Sequence, residues 1–214
     1  MTETTVAQPD AWVASLKGFL GIERKPVEHC ELCYAEIEPG HDHLIEPDTR
    51  RLLCACQACA LLFDSPEARR YRRVPREVTR LEHFNLSDAQ WDALLIPINL
   101  AFFVRSSTQD RVLALYPGPA GATESTLALQ TWDELAAANP LLKALQPDVE
   151  ALLANRMDGA REYYRLPIDR CYELVGLIRS HWHGLSGGQD VRAAQLRYFE
   201  QLRAETSAGG QDDA

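Results

Sequence analysis

The stretch LLCACQACALLF, residues 52–63, places Cys54, Cys56 and Cys59 inside an apolar run, and HCELC, residues 29–33, supplies Cys30 and Cys33 just upstream. Cys30-x2-Cys33 and Cys56-x2-Cys59 are separated by 22 residues, a spacing that predicts a four-thiolate metal site. The reason is geometric. A two-residue gap lets one tight turn aim both sulfurs inward, and a second pair completes a tetrahedral shell at about 2.3 Å from the ion. The ion then closes a module too small to hold together by its own core.

The flanking residues add detail. GHDHLIEPDTRRLLCA (40–55) reads as two short strands around a Pro47-Asp48 turn, and CQACALLF (56–63) as the first turns of a helix. Free N–H groups at such a helix start donate to thiolate sulfur. A knuckle, a hairpin and a cysteine pair at a helix N-terminus resemble a treble-clef or zinc-ribbon finger. Glycine commonly follows the second cysteine of a knuckle, whereas Tyr34 and Ala60 stand there. This departure weakens a rubredoxin-like iron reading more than a zinc one, so Zn is the expected ion and Fe the alternative. Cys30, Cys33, Cys56 and Cys59 are the expected ligands. Cys54 shares a face with Cys56 on an extended chain; it is the alternative to Cys56, or a thiol beside the centre. His43, like His29 and His41, is a further candidate to replace a thiolate or to donate a hydrogen bond to sulfur. Histidines in loops are more often solvated.

Composition sets the frame. In 214 residues, 46% hydrophobic and 25% charged content is ordinary for a globular chain. The longest apolar segment, ALLIPINLAFFV (93–104), is too short to span a bilayer and contains Pro97 and Asn99. MTETTVAQPDAW at the start lacks a basic segment followed by an apolar one, so a secretory signal is not expected. The expected compartment is cytoplasmic, where thiols stay reduced and clustered cysteines bind metal in preference to forming disulfides. Net charge of −9 disfavours nucleic acid and anionic lipid as partners. Residues 67–82 depart from this, with six arginines against three glutamates. That window reads first as a solvated strand edge, then as a docking face for an acidic protein, and last as a nucleic-acid stripe.

The expected organisation is a tail and short amphipathic helix over 1–27, the metal module over 28–66, an α+β domain over 67–205, and a disordered tail over 206–214. Within the α+β domain, YRRVPREVTRLEHF (71–84) reads as an irregular strand pair with Pro75 at an edge or bulge. Ser87 caps a helix over SDAQWDALL. INLAFFVRS and RVLALYP form a hairpin, GPAGATES (118–125) a loop, and TLALQ (126–130) a strand. TWDELAAANPLLKAL is helical, with Thr131 and Glu134 in a capping-box pattern and Pro140 as a break. VEALLANR and EYYRLPI are strands joined through Asp158-Gly159. Two helices follow, one opened by Asp169 and one over QDVRAAQLRYFEQLRAE. The fold class is therefore α+β: a small four-cysteine module, then an antiparallel sheet with packed helices.

No catalytic constellation emerges. Cys171 sits alone in an apolar helix with no local base, which favours core packing. GPAGATES lacks the phosphate-loop pattern. His181 and His183 end a helix, where they suit its dipole, and two residues apart they do not share a face.

Taken together, CELC, the H-x-H after a Pro-Gly turn, RRLLCACQACALLF, WDALLIPINLAFFVRSS, ALYPGPAGATES and LVGLIRSHWHGLSGG resemble a bacterial family of unknown function. Its genes tend to accompany operons of oxygen-insensitive uptake nickel–iron hydrogenases. The similarity extends over roughly residues 28–204. It implies a non-enzymatic accessory or assembly factor whose partner is a hydrogenase subunit or maturation factor. The competing class is a rubredoxin-like iron protein for electron transfer or oxygen protection, and the third is a nucleic-acid-binding zinc protein.

Overall fold

The computed structural model describes residues 27–64, 70–125, 129–184 and 187–208. The helix expected before residue 22 lies outside them, as does the chain beyond Ala208. Among the described residues, no helix is long and apolar enough to cross a membrane. The fold is α+β, with antiparallel sheets, helices and an N-terminal cysteine cluster.

The N-terminal region is built on short pairings. β1 (Glu28–His29) and β2 (Glu36–Ile37) run antiparallel on either side of the Cys30–Cys33 turn. β3 (Asp42–Glu46) and β4 (Arg51–Ala55) form the expected hairpin, with His43 opposite Cys54 and Leu44 opposite Leu53. α1 (Gln57–Leu62) follows at once, with Cys56 in the N-cap position. β5 (Arg72–Arg73) pairs with the other edge of β3. Successive strand residues point to opposite faces, so this hairpin has two interiors. Leu44, Leu53 and Ala55 close a small core with Ala60 and Tyr71. Ile45 faces the other way and enters the main core together with Val74.

The larger sheet has six antiparallel strands in the order β6-β11-β10-β7-β8-β9. They are β6 (Thr79–Arg80), β7 (Leu100–Ser106), β8 (Arg111–Gly118), β9 (Gly121–Ser125), β10 (Glu150–Asn155) and β11 (Glu162–Pro167). Every residue of β10 is buried, which requires cover on both faces. Phe102, Val104 and Leu153 face α4 (Ile168–His181) and α5 (Gly188–Ala208), meeting Cys171, Leu174, Ile178, Phe199 and Leu202. Ala101, Phe103 and Leu152 face the opposite layer, made by α2 (Asp88–Ala93), α3 (Leu129–Ala138) and a 3-10 turn over Pro140–Ala144. Trp91, Leu94, Leu135 and Leu142 fill that side. The cysteine module packs on the α4 and α5 side through Ile45, Leu52 and Val74.

Local chemistry explains most boundaries. The Ser87 hydroxyl accepts from Gln90 N–H at 3.2 Å while the Gln90 side chain accepts from Ser87 N–H at 2.9 Å, a capping box that starts α2. Pro140 ends α3, and the Asn139 side chain then bonds both N–H and C=O of Asn85 at 2.8 Å. Asp158 and Gly159 both take positive φ between β10 and β11.

Four expectations are corrected. GPAGATES is not a loop: Gly118 and Gly121 bracket a tight turn, and β9 pairs with β8. TLALQ is not a strand where described, because α3 already begins at Leu129. That start lies upstream of Thr131, so the Thr131–Glu134 pattern does not mark it. The strands within 71–84 exist, but β5 belongs to the module's sheet and β6 to the larger one, and they do not pair with each other. Arginines of β5 and of the segment after it are engaged in ion pairs. Arg73 and Arg76 both reach the buried Asp42 carboxylate, and Arg72 reaches Asp148 at 3.2 Å.

Candidate metal centre

The four expected cysteines arrive in two pairs, each on its own local device. Cys30 follows β1 and starts a turn in which Cys30 N–H donates to Ala35 O at 2.8 Å and Tyr34 N–H donates to Cys30 O at 2.8 Å. Cys33 lies within that turn and is exposed, whereas Cys30 is buried. Cys56 leaves β4 and caps α1, and Cys59 sits one turn along it, where Ala60 N–H bonds Cys56 O at 2.9 Å. The knuckle is stitched to β4 by Glu31. Its N–H donates to Cys54 O at 2.9 Å, and its carboxylate accepts from Cys54 N–H at 2.8 Å and from Arg51 at 2.6 Å.

The turn closes without glycine. Tyr34 takes φ of 64°, the left-handed region, at a cost on the order of 1 kcal/mol. Its ring stacks on His29, with centroids 4.5 Å apart and planes 15° from parallel. That contact partly offsets the strain.

The four sulfurs lie within 4.8 Å of one another, and Cys33 Sγ and Cys56 Sγ are 3.6 Å apart. All four are free thiols. A tetrahedron of sulfurs at about 2.3 Å from a central ion has edges of about 3.8 Å, so the donor set fits one ion. Its electrostatics are uneven. Burial opposes charge on Cys30, but backbone N–H groups of Cys56, Cys33 and Leu32 donate to its sulfur and outweigh it, bringing the thiol down to about 6. Burial pushes Cys59 up to about 12, reinforced by the Cys33, Cys56 and Cys30 sulfurs around it. At Cys33 the Ala35 N–H favours the thiolate, yet the Cys30 and Cys56 sulfurs prevail and raise it. Binding of a cation at these thiols would release their protons.

The two further candidates stand elsewhere. Cys54 and His43 do not join this cluster; with His41 they make a second group on the other face of the β3–β4 hairpin. His29 is engaged with Tyr34. Cys171 is fully buried in the α4 interface, as expected for a packing residue. Sequence reasoning missed Asp169, whose carboxylate lies 2.7 Å from His43 Nδ1. Nothing local in the sequence links residues so far apart.

The chain belongs to a family of unknown function, DUF5947, whose model matches residues 29–206. That span takes in both the cysteine cluster and the six-stranded domain. No curated protein and no solved structure matches the chain.

Proposed function

We propose that this protein is a metal-binding accessory or assembly factor, in which one Zn2+ held by Cys30, Cys33, Cys56 and Cys59 fixes the N-terminal module against the α+β domain. The observation that carries this reading is the convergence of four free thiols from two turns 22 residues apart within 4.8 Å. An ion there closes a loop whose hairpin contributes Ile45 and Leu52 to the main core, so metal and domain packing depend on each other. The asymmetry of the two pairs supports zinc in a treble-clef-like arrangement. One pair sits in a turn and the other at the start of a helix, unlike the paired knuckles of a rubredoxin.

Iron is the second reading. It rests on the same four-thiol donor set, which suits iron as well as zinc. Metal analysis and an absorbance spectrum of untagged protein decide between them. A colourless protein with one zinc per four-cysteine centre supports the proposal, and a visible charge-transfer band with bound iron refutes it. Cys33→Ser should lower metal content and solubility together.

The client follows from the family resemblance: a nickel–iron hydrogenase subunit or maturation factor, met during assembly. Affinity capture with purified hydrogenase subunits tests this. Absence of binding by the metal-loaded protein would remove the hydrogenase while leaving the metal centre intact.

A further inference from the structure

A second set of metal-binding side chains lies outside the four-thiol centre. His41, His43 and Cys54 each bring one donor atom to within 4.8 Å of the others. The hairpin causes this. Residues 41 and 43 share one face of an extended chain, and Cys54 stands directly across from His43. The two imidazoles meet edge to face, with centroids 4.9 Å apart.

Both rings are already oriented. His43 Nδ1 donates to Asp169 Oδ2 at 2.7 Å. His41 Nδ1 donates to the Glu38 carbonyl at 3.0 Å, with the Glu28 carboxylate 3.4 Å away. An acceptor at each Nδ1 fixes the tautomer and leaves the lone pair on Nε2. His41 Nε2 is buried and has no hydrogen-bond partner among the described residues, a costly arrangement for a polar atom unless something else engages it.

We propose that His41 Nε2, His43 Nε2 and Cys54 Sγ bind a second divalent transition-metal ion of the zinc class, separate from the four-thiol centre. Imidazole and thiolate donors suit that class. Asp169 is a positioning residue, holding His43 in the manner of the carboxylate–histidine pairs behind metal ligands. Three protein donors leave a fourth position. Both histidines line a cavity of about 340 Å³ that is also bordered by Arg76, Asp169 and Arg170, so solvent reaches the edge of the group. The four-thiol centre is closed and structural in character; this one is open and exchangeable. The second site goes beyond the accessory-factor reading and stands without it.

The test is a metal titration of the full-length protein, stripped of metal, using Zn2+ for stoichiometry and Co2+ for optical detection of sulfur ligation. Wild type should take up two equivalents. Cys33→Ser should lose only the four-thiol equivalent, so failure of that site is read separately. His41→Ala/His43→Ala should keep the four-thiol equivalent and lose the other, and Cys54→Ser should lose the cobalt–sulfur band belonging to that other equivalent. Asp169→Asn should weaken it by about 10–100-fold while leaving the first unchanged. Should the double variant fold poorly, His41→Gln alone should still weaken the second equivalent at least about tenfold. Wild-type metal uptake that loss of both histidines leaves unchanged overturns the proposal.

Discussion

The carboxylate of Asp169, in the first turn of α4, meets the imidazole of His43 on β3 at 2.7 Å across 126 residues of sequence. This contact joins the cysteine-rich hairpin to the helix layer of the large sheet. Ile45, Leu52 and Val74 bury apolar surface along the same boundary, and Arg72 donates to Pro147 O at 2.7 Å beside it. The module is thus bonded, packed and charge-paired to the domain.

Metal removal should therefore be felt throughout the chain. Chelation frees the Cys30 and Cys56 turns and loosens the packing of Ile45 and Leu52 on the core, while the β3–β4 pairing persists. Each apolar side chain released forfeits about 1.5–3 kcal/mol of burial. Calorimetry should show a lower melting temperature for the whole protein, with greater binding of an apolar dye before the main transition. Apparent metal affinity should fall as pH falls, because every thiol ligand must shed a proton. Unchanged melting after complete metal removal would contradict this coupling.

Thiol labelling should depend on the metal as well as on exposure. Cys33 is exposed, yet with an ion bound its sulfur is engaged and should resist alkylation. Stripped of metal, it should react first. Cys171 is wholly buried, and its thiol is pushed well above the ordinary value by burial and then by Asp169. It should react only as fast as the sheet domain unfolds. Mass spectrometry of timed alkylation reads both, and rapid labelling of Cys33 in the loaded protein would count against the ligand assignment.

Asp148 holds the boundary between module and domain in a strained backbone. Its φ is 66°, and its buried carboxylate accepts from Ser107 N–H at 2.8 Å and from Arg72 at 3.2 Å. Asp148→Ala should destabilise by about 1 kcal/mol, since it removes the acceptor shared by Ser107 N–H and Arg72 and keeps the strain. Asp148→Asn should cost less, because asparagine tolerates the left-handed region and keeps one acceptor. Equal losses for both variants in urea unfolding would refute this account.

At Tyr34 the usual ranking of glycine below alanine should reverse. Tyr34→Ala removes the stack on His29 and retains the left-handed strain, so it should be the less stable variant. Tyr34→Gly relieves the strain and should exceed the alanine variant by about 1 kcal/mol. Thermal unfolding of the metal-loaded variants compares them directly.

Much of this was legible in the residues, for identifiable reasons. The four-thiol centre follows from spacing alone. The β7–β8 and β10–β11 hairpins follow from apolar runs separated by turn residues, and α2 from its Ser87 cap. β9 was hidden because GATES is glycine-containing and polar; it joins the sheet as an edge strand through backbone pairing with β8. The start of α3 was hidden because a short apolar run such as TLALQ suits either a strand or a helix. Residues 71–84 do contain two strands, but only tertiary structure assigns them to separate sheets. The His41, His43 and Cys54 group was partly visible. An H-x-H at the head of one strand, with a cysteine at matching parity on the next, is a same-face pattern. Weighing each residue singly as a substitute ligand for the first centre concealed it, and Asp169 could be found only in three dimensions.

The alternation along β3 and β4 constrains how this gene can vary. Leu44 and Leu53 look toward one nest of sulfurs, while His43 and Cys54 look toward α4. Deleting or inserting a single codon within either strand would exchange these outlooks, presenting imidazoles to the greasy pocket and leucines to Asp169. Length changes in relatives should accordingly be confined to the bend at residues 47–50, or occur in pairs.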